Sequence, residues 1–179
     1  MLDAPVVNLF SHVKSGDVPW KMDGLRSFFA YRDLGVAAAT GGRVIAHLVR
    51  ANEAPEKGTG WHTHQAEFQI VFMTKGWAKF MYEDKITLVE AGDCVHQRPG
   101  IVHYLYDYSP DMEYLEVVGP ADFGSMEAEG PCGVPAPTPW PGSGSNKARA
   151  TRHWKQSATL VSAIPRRCLN ACTPSAGAP

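Results

Sequence analysis

Two histidines separated by one residue, His62 and His64, are the first positions in this sequence whose type and spacing could do chemistry. On an extended strand, residues i and i+2 point to the same face about 7 Å apart along the chain, so two imidazoles can lean toward one cation. An HxH among seven histidines is a weak signal by itself. It is strengthened by His103, which follows the turn formers Pro99-Gly100 and opens another predicted strand. Three neutral imidazoles from two strands, completed by water, make an open site for a divalent cation such as Zn(II), Fe(II), Mn(II) or Ni(II). The competing reading is that the histidines fill a polar cavity, where burial alone would require hydrogen-bond partners.

From Gly58 to Val118 the spacing of these residues resembles the cupin family. The first cupin signature is a Gly, then HxH, then an acidic residue four or five positions after the second His, then a Gly seven further on. The run GTGWHTHQAEFQIVFMTKG supplies His62, His64 and Gly76, with a shorter glycine-to-histidine interval than the family's usual one. The second signature is a Gly, a stretch ending in P-x-G, two residues and a His, often with Asn four later. Gly92, Gly100 and His103 match, while Arg98 stands at the family's Pro with Pro99 beside it, and Asp107 stands at the Asn. The resemblance implies an all-β fold, a small antiparallel β-barrel of the cupin or jelly-roll type, holding a divalent metal ion.

One departure bears on mechanism. The family's metal-binding carboxylate falls near position 69, and this sequence has Gln69 there. Glu67 shares its strand parity and could be brought inward only by a local bulge, of which Phe68 to Thr74 gives no sign. The expected metal neighbours are therefore His62, His64, Gln69 and His103, all neutral. A cation held this way keeps its full charge, which favours an anionic or enolised substrate and weakens retention by the protein.

The elements that must position these residues are short apolar segments divided by turn signals, the pattern of an antiparallel sandwich or barrel. Strands are predicted at Ser27–Arg32, Arg43–Arg50, Phe68–Thr74, Trp77–Tyr82, Lys85–Glu90, Asp93–Arg98, His103–Tyr108 and Glu113–Val118, with a short helical turn around Val36–Thr40. Trp77–Tyr82 reads as the hairpin partner of Phe68–Thr74 across Lys75-Gly76. Alternation sends Gln69, Val71, Met73, His103, Leu105 and Asp107 inward with Ala78, Phe80 and Tyr82, and sends Phe68, Phe72, Tyr104, Tyr106 and Tyr108 outward. An outward aromatic face needs cover, from the N-terminal arm or a second copy, so a homodimer is expected.

Glu67 and His96 are the nearest candidates for a catalytic acid or base, with a structural histidine the plainer reading of His96 and, more weakly, of His47. Tyr31, Arg32 and Asp33 read as a turn cap or a substrate clamp, and Cys94 as a small buried hydrophobe. His12 and His153 receive no role. Two function classes follow. One is a metal-dependent enzyme acting on a small organic molecule, in its sharpest form a dioxygenase-type oxidoreductase. The other is a non-catalytic module that binds a small ligand or metal; a DNA-linked sensor would carry a helix-turn-helix pattern, which the sequence lacks.

Composition bounds the rest. The sequence has 179 residues, 44% hydrophobic and 20% charged, and suits one domain with excess chain. Its net charge of −1 disfavours nucleic acid, and no apolar run approaches the roughly 18 residues needed to span a bilayer. Met1 to Gly16 lacks the pattern of a signal peptide, so a cytoplasmic protein is expected, with four scattered cysteines in reduced form. Residues 1–130 hold 11 basic and 18 acidic residues, whereas Pro131 to Pro179 holds six basic and none acidic. The expected organisation is an arm and first strands over 1–57, a barrel core over 58–124, and a Pro/Gly-rich basic tail over 125–179 that is irregular and poorly ordered. Its six basic residues suit either a solvated extension or an anchor for an acidic partner.

Overall fold

A computed structural model describes residues 6–56 and 58–141. The described residues form ten strands and one helical turn: β1 Phe29–Asp33, α1 Val36–Ala39, β2 Ile45–Ala51, β3 His62–Gln65, β4 Phe68–Lys75, β5 Trp77–Tyr82, β6 Lys85–Glu90, β7 Cys94–Gln97, β8 His103–Tyr108, β9 Glu113–Gly119 and β10 Gly124–Glu127, of which β3 and β10 are additional to the predicted strand segments. They form two five-stranded antiparallel sheets, β1-β2-β9-β4-β7 and β10-β3-β8-β5-β6, a jelly-roll arrangement. Between them lies a core that includes Phe29, Val49, Val71, Met73, Ala78, Phe80, Leu105 and Tyr108. Among the described residues no helix is long and apolar enough to cross a membrane.

The β4–β5 junction is not a hairpin. β4 pairs with β7 and β9 in one sheet, and β5 pairs with β6 and β8 in the other. Gly76 therefore carries the chain from one layer to the next at a φ of 62°, the left-handed region that glycine enters without strain. Both strands can then turn their apolar residues to the same interior: Val71 and Met73 from β4, and Ala78 and Phe80 from β5, are all buried.

The predicted alternation holds along β4 and β5 and fails in the second half of β8. Phe80 pairs with Leu105 but Lys79 pairs with Asp107, which leaves Tyr106 as an extra residue opposite no β5 partner. This bulge reverses the parity beyond it. Tyr108 lies opposite Ala78 and joins the core against Phe29, at a ring separation of 5.1 Å, instead of facing out. Asp107 lies opposite Lys79, so it points away from the interior, yet it is only 1% exposed. Lys79 Nζ donates to it at 2.9 Å, as do the Thr138 amide at 3.0 Å and the Thr138 hydroxyl at 2.9 Å. A buried carboxylate persists where it is paired in this way. Tyr106 is also buried.

Thr138 belongs to the stretch expected to be poorly ordered tail. Over residues 125–141 that expectation is corrected: Ser125, Met126 and Glu127 pair with β3 in β10, and Trp140 Nε1 donates to the Tyr108 carbonyl at 2.9 Å. Residues 128–141 have no regular strand or helix, as their Pro and Gly content implied, but side-chain anchors fix them. Residues 142–179, with His153, the Leu160–Ile164 segment and all six basic residues of the tail, lie outside the described residues. Cys94 is exposed at the start of the edge strand β7 rather than buried.

Gly76 supplies a stability test. A Cβ there would lie 2.2 Å from the Ser109 hydroxyl and 3.0 Å from the Met112 backbone, whereas one at Gly42, also at positive φ, would meet nothing within 4 Å. Gly42→Ala is expected to cost about 1 kcal/mol, from backbone strain alone, and Gly76→Ala about 3 kcal/mol or more. Urea denaturation of the two variants measures the difference, and equal losses would contradict the crowded corner.

Candidate metal centre

The HxH falls on β3, where strand alternation places His62 and His64 on one face, and β8 lies alongside with His103 directly opposite His62. The three rings form a tight triangle, with centroids 4.2 Å apart for His62 and His103, 4.9 Å for His62 and His64, and 5.0 Å for His64 and His103. One nitrogen from each lies within 4.8 Å of the others. Among the described residues these three are the group of His, Cys, Asp and Glu side chains near enough to share a metal ion.

Two of the rings are oriented by the carbonyl two residues earlier in the chain. His62 Nδ1 lies 2.8 Å from the Gly60 carbonyl and His103 Nδ1 lies 2.9 Å from the Ile101 carbonyl. A carbonyl only accepts, so each Nδ1 carries the proton and each Nε2 is left with a bare lone pair. His64 is packed edge-on against Phe123 at 5.1 Å. Burial holds the imidazoles in the neutral form. It is the largest influence on His62, lowered to about 3, and on His103, lowered to about 4, and it lowers His64 as well. Neutral imidazoles with free lone pairs are the protonation state that a divalent cation needs.

The opposite wall comes from the other sheet. Gln69 on β4 is 3% exposed and lines the same cavity, with Gln97 from β7 and Glu116 from β9. Glu116 Oε1 accepts from Gln69 Nε2 at 2.7 Å, and Glu116 Oε2 accepts from His47 Nε2 at 2.5 Å. Burial pushes the Glu116 carboxyl up, but these two donors outweigh it and leave the group below the ordinary carboxylate range. With its amide nitrogen committed to Glu116, Gln69 has Oε1 as the atom able to coordinate. Gln97 Oε1 is buried without a hydrogen-bond partner. The donor set thus fits a divalent cation: three neutral nitrogens on one wall, amide oxygens on the other, and one fixed carboxylate behind them.

Neither proposed acid–base residue reaches this cavity. Glu67 is exposed in the β3–β4 turn, where only its amide is engaged, with the Gly119 carbonyl at 2.7 Å. His96 is exposed on the outer face of β7, because Gln97 takes the inward position. Glu116 was missed by the sequence reading. It lies in EYLEVVG, outside both signatures, and its available signal was an acid at an inward position between the apolar residues Leu115 and Val117. His47 likewise has a partner that only the β2–β9 register reveals.

The neutral rings set a pH dependence for the metal-free protein. The folded state resists protonating His62 and His103 until about pH 3 to 4, whereas the unfolded chain takes up those protons near pH 6.5. Stability is therefore expected to fall as pH drops from about 6.5 toward 4. His62→Gln/His103→Gln should flatten this dependence, as read from urea midpoints of chelator-treated protein; an unchanged slope would contradict the neutral, buried assignment.

Comparison with known proteins agrees with this architecture. Residues 50–118 match the family model described as a cupin domain. An RmlC-like cupin from Shewanella frigidimarina superposes with a TM-score of 0.51 at 15% identity, over 65% of this chain and 96% of that one. The polyketide cyclase RemF from Streptomyces resistomycificus superposes with a TM-score of 0.54 at 15% identity, over 69% and 90%. No curated protein matches the sequence significantly. At that identity the structural likeness speaks for the fold alone. The family match spans β3 to β8 and includes all three histidines of the site, so residues 50–118 match a cupin domain.

Proposed function

We propose that this chain is a metal-dependent cupin enzyme that acts on a small organic molecule, with His62, His64 and His103 as metal ligands and Gln69 as their neutral fourth neighbour. The observation that carries the reading is the set of two carbonyl-anchored rings and a third beside them, with one nitrogen of each within 4.8 Å of the others. When bound, the cation supplies a Lewis acid with its full charge and open positions, the chemistry of a dioxygenase-type site for an enolate, catecholate or carboxylate. The protein's own part is to orient and to exclude water. Glu116 positions the Gln69 amide, while Phe80, Val71 and Leu105 form dry walls. The inner cavity holds about 50 Å³, room for a cation and a few waters or the reacting end of a substrate.

That small volume also supports a second reading, a non-catalytic module that binds a metal or small ligand. Oxygen uptake by metal-loaded protein with diketones, catechols and small carboxylates separates the two, and a cytoplasmic setting belongs to either. A homodimer remains part of the proposal. The outer face of the β1-β2-β9-β4-β7 sheet aligns Leu48, Leu115 and Phe72 in one row and Val117 and Ile70 in the next, with Phe72 40% exposed.

His62→Ala/His103→Ala is expected to abolish metal content while the far-ultraviolet circular dichroism stays that of the folded sheets. Glu116→Gln should lower metal affinity about 10- to 100-fold by releasing Gln69. Glu67→Gln should leave metal content unchanged. Elemental analysis and metal titration check all three, and loss of metal in Glu67→Gln would transfer the fourth position to that carboxylate. Phe72→Asp is expected to convert a dimer to a monomer in analytical ultracentrifugation, and a wild-type monomer would remove the dimer from the proposal.

A further inference from the structure

Arg26 stands at the entrance to the three-histidine cavity and, among the described residues, has no ion-pair partner. It lines the inner cavity and also an outer vestibule of about 650 Å³, and Leu25, Thr59 and His62 line both spaces with it. Among the described residues it is the one Lys or Arg lining either space. Among the described residues no carboxylate lies within ion-pair distance of it, although Glu116 lines the inner cavity and Glu127 the vestibule.

The backbone that carries Arg26 is held in place. Its amide donates to the Tyr31 hydroxyl at 3.1 Å, and its carbonyl accepts from the Phe29 amide at 3.2 Å. Gly24, two residues earlier, lies so close to the Tyr31 ring that a Cβ there would approach to 2.4 Å. Tyr31 in turn packs edge-on against His47, the partner of Glu116, at 5.6 Å. The 24–28 turn is thereby tied to the buried polar cluster, with Arg26 lining both the inner cavity and the vestibule. Its charge is felt by all three imidazoles, where it adds to the larger effect of burial in disfavouring their protonation.

We infer that Arg26 is the anion-binding residue of this site, taking a carboxylate of the substrate through its planar fork of donors while the substrate's other oxygen donor faces the histidine cluster. The inference deepens the proposed function and rests on its metal site. A guanidinium pairs with a carboxylate through two parallel hydrogen bonds, and one cation without further Lys, Arg or helix N-terminus matches the single charge of a carboxylate better than a phosphate. The substrate class is therefore a small carboxylic acid with a second oxygen function a few atoms away, short enough for the inner cavity to admit one end.

The test is calorimetric titration of the full chain, zinc-loaded and chelator-treated, with malonate, its uncharged diamide and inorganic phosphate. Malonate is expected to bind the wild-type protein, with affinity about tenfold or more lower in Arg26→Gln and intermediate in Arg26→Lys, which keeps the charge but loses the fork. The diamide should bind wild type at least tenfold more weakly than malonate. Metal content should be unchanged in both variants. Equal malonate affinity in wild type and Arg26→Gln, or a diamide that binds as well as malonate, would overturn the assignment. Tighter, Arg26-dependent binding of phosphate would overturn the carboxylate class. If the wild-type chain takes up no metal, the metal-dependent function fails while Arg26 is still judged on the metal-free titration, where the Arg26→Gln deficit should persist.

Discussion

The carbonyls of Gly60 and Ile101 each accept a hydrogen bond from Nδ1–H of the histidine two residues further on, His62 and His103. Those two hydrogen bonds fix the tautomers, and with them the direction of the lone pairs, in rings that burial keeps neutral. Charged rings would repel one another and a cation alike, and neutral rings free to rotate would not hold their lone pairs toward one point. The backbone geometry of two turns therefore decides whether three adjacent imidazoles form a donor set or only a crowded polar cavity. The β3–β8 register supplies the remaining condition by setting His62 directly opposite His103.

Across the cavity the second sheet answers with a different chemistry. Its inward row holds one carboxylate, Glu116, whose charge is shared between His47 and Gln69. This places the negative charge one residue behind the histidine cluster, where it orients an amide instead of competing for a position beside the imidazoles. Family resemblance led to an acid near position 69; this chain has Gln69 at the wall and a carboxylate, Glu116, on the neighbouring strand β9. The division of labour between sheets also explains why a cavity lined by two charged groups, Arg26 and Glu116, retains neutral histidines.

The outer surface is closed by pieces outside the regular strands. The bulge at Tyr106 turns Asp107 outward, and the segment around Thr138 and Trp140 covers it by satisfying the carboxylate and the Tyr108 carbonyl. A carboxylate buried without those donors would be costly, so strand irregularity and strap are mutually dependent. The same logic applies at the N-terminal side, where Gly24 and Arg26 fold against Tyr31 only because glycine leaves room for the ring.

The amino-acid pattern by itself determined the strands from β4 to β9 almost to their ends and the inward faces of β4 and β5. It also singled out the three histidines, because period-two alternation, turn formers and the HxH spacing are local properties of the chain. It could not reach β10, whose GSME carries no strand propensity of its own and is extended only because β3 offers an edge to pair with. Nor could it detect that Gly76 changes sheets, that one extra residue in β8 reverses Asp107 and Tyr108, or that His96 faces away. These depend on which strands become neighbours and in what register. Glu116 is the clearest case: its meaning comes from His47 and Gln69, 69 and 47 residues away, and only the packing of β9 between β2 and β4 brings those donors to one carboxylate.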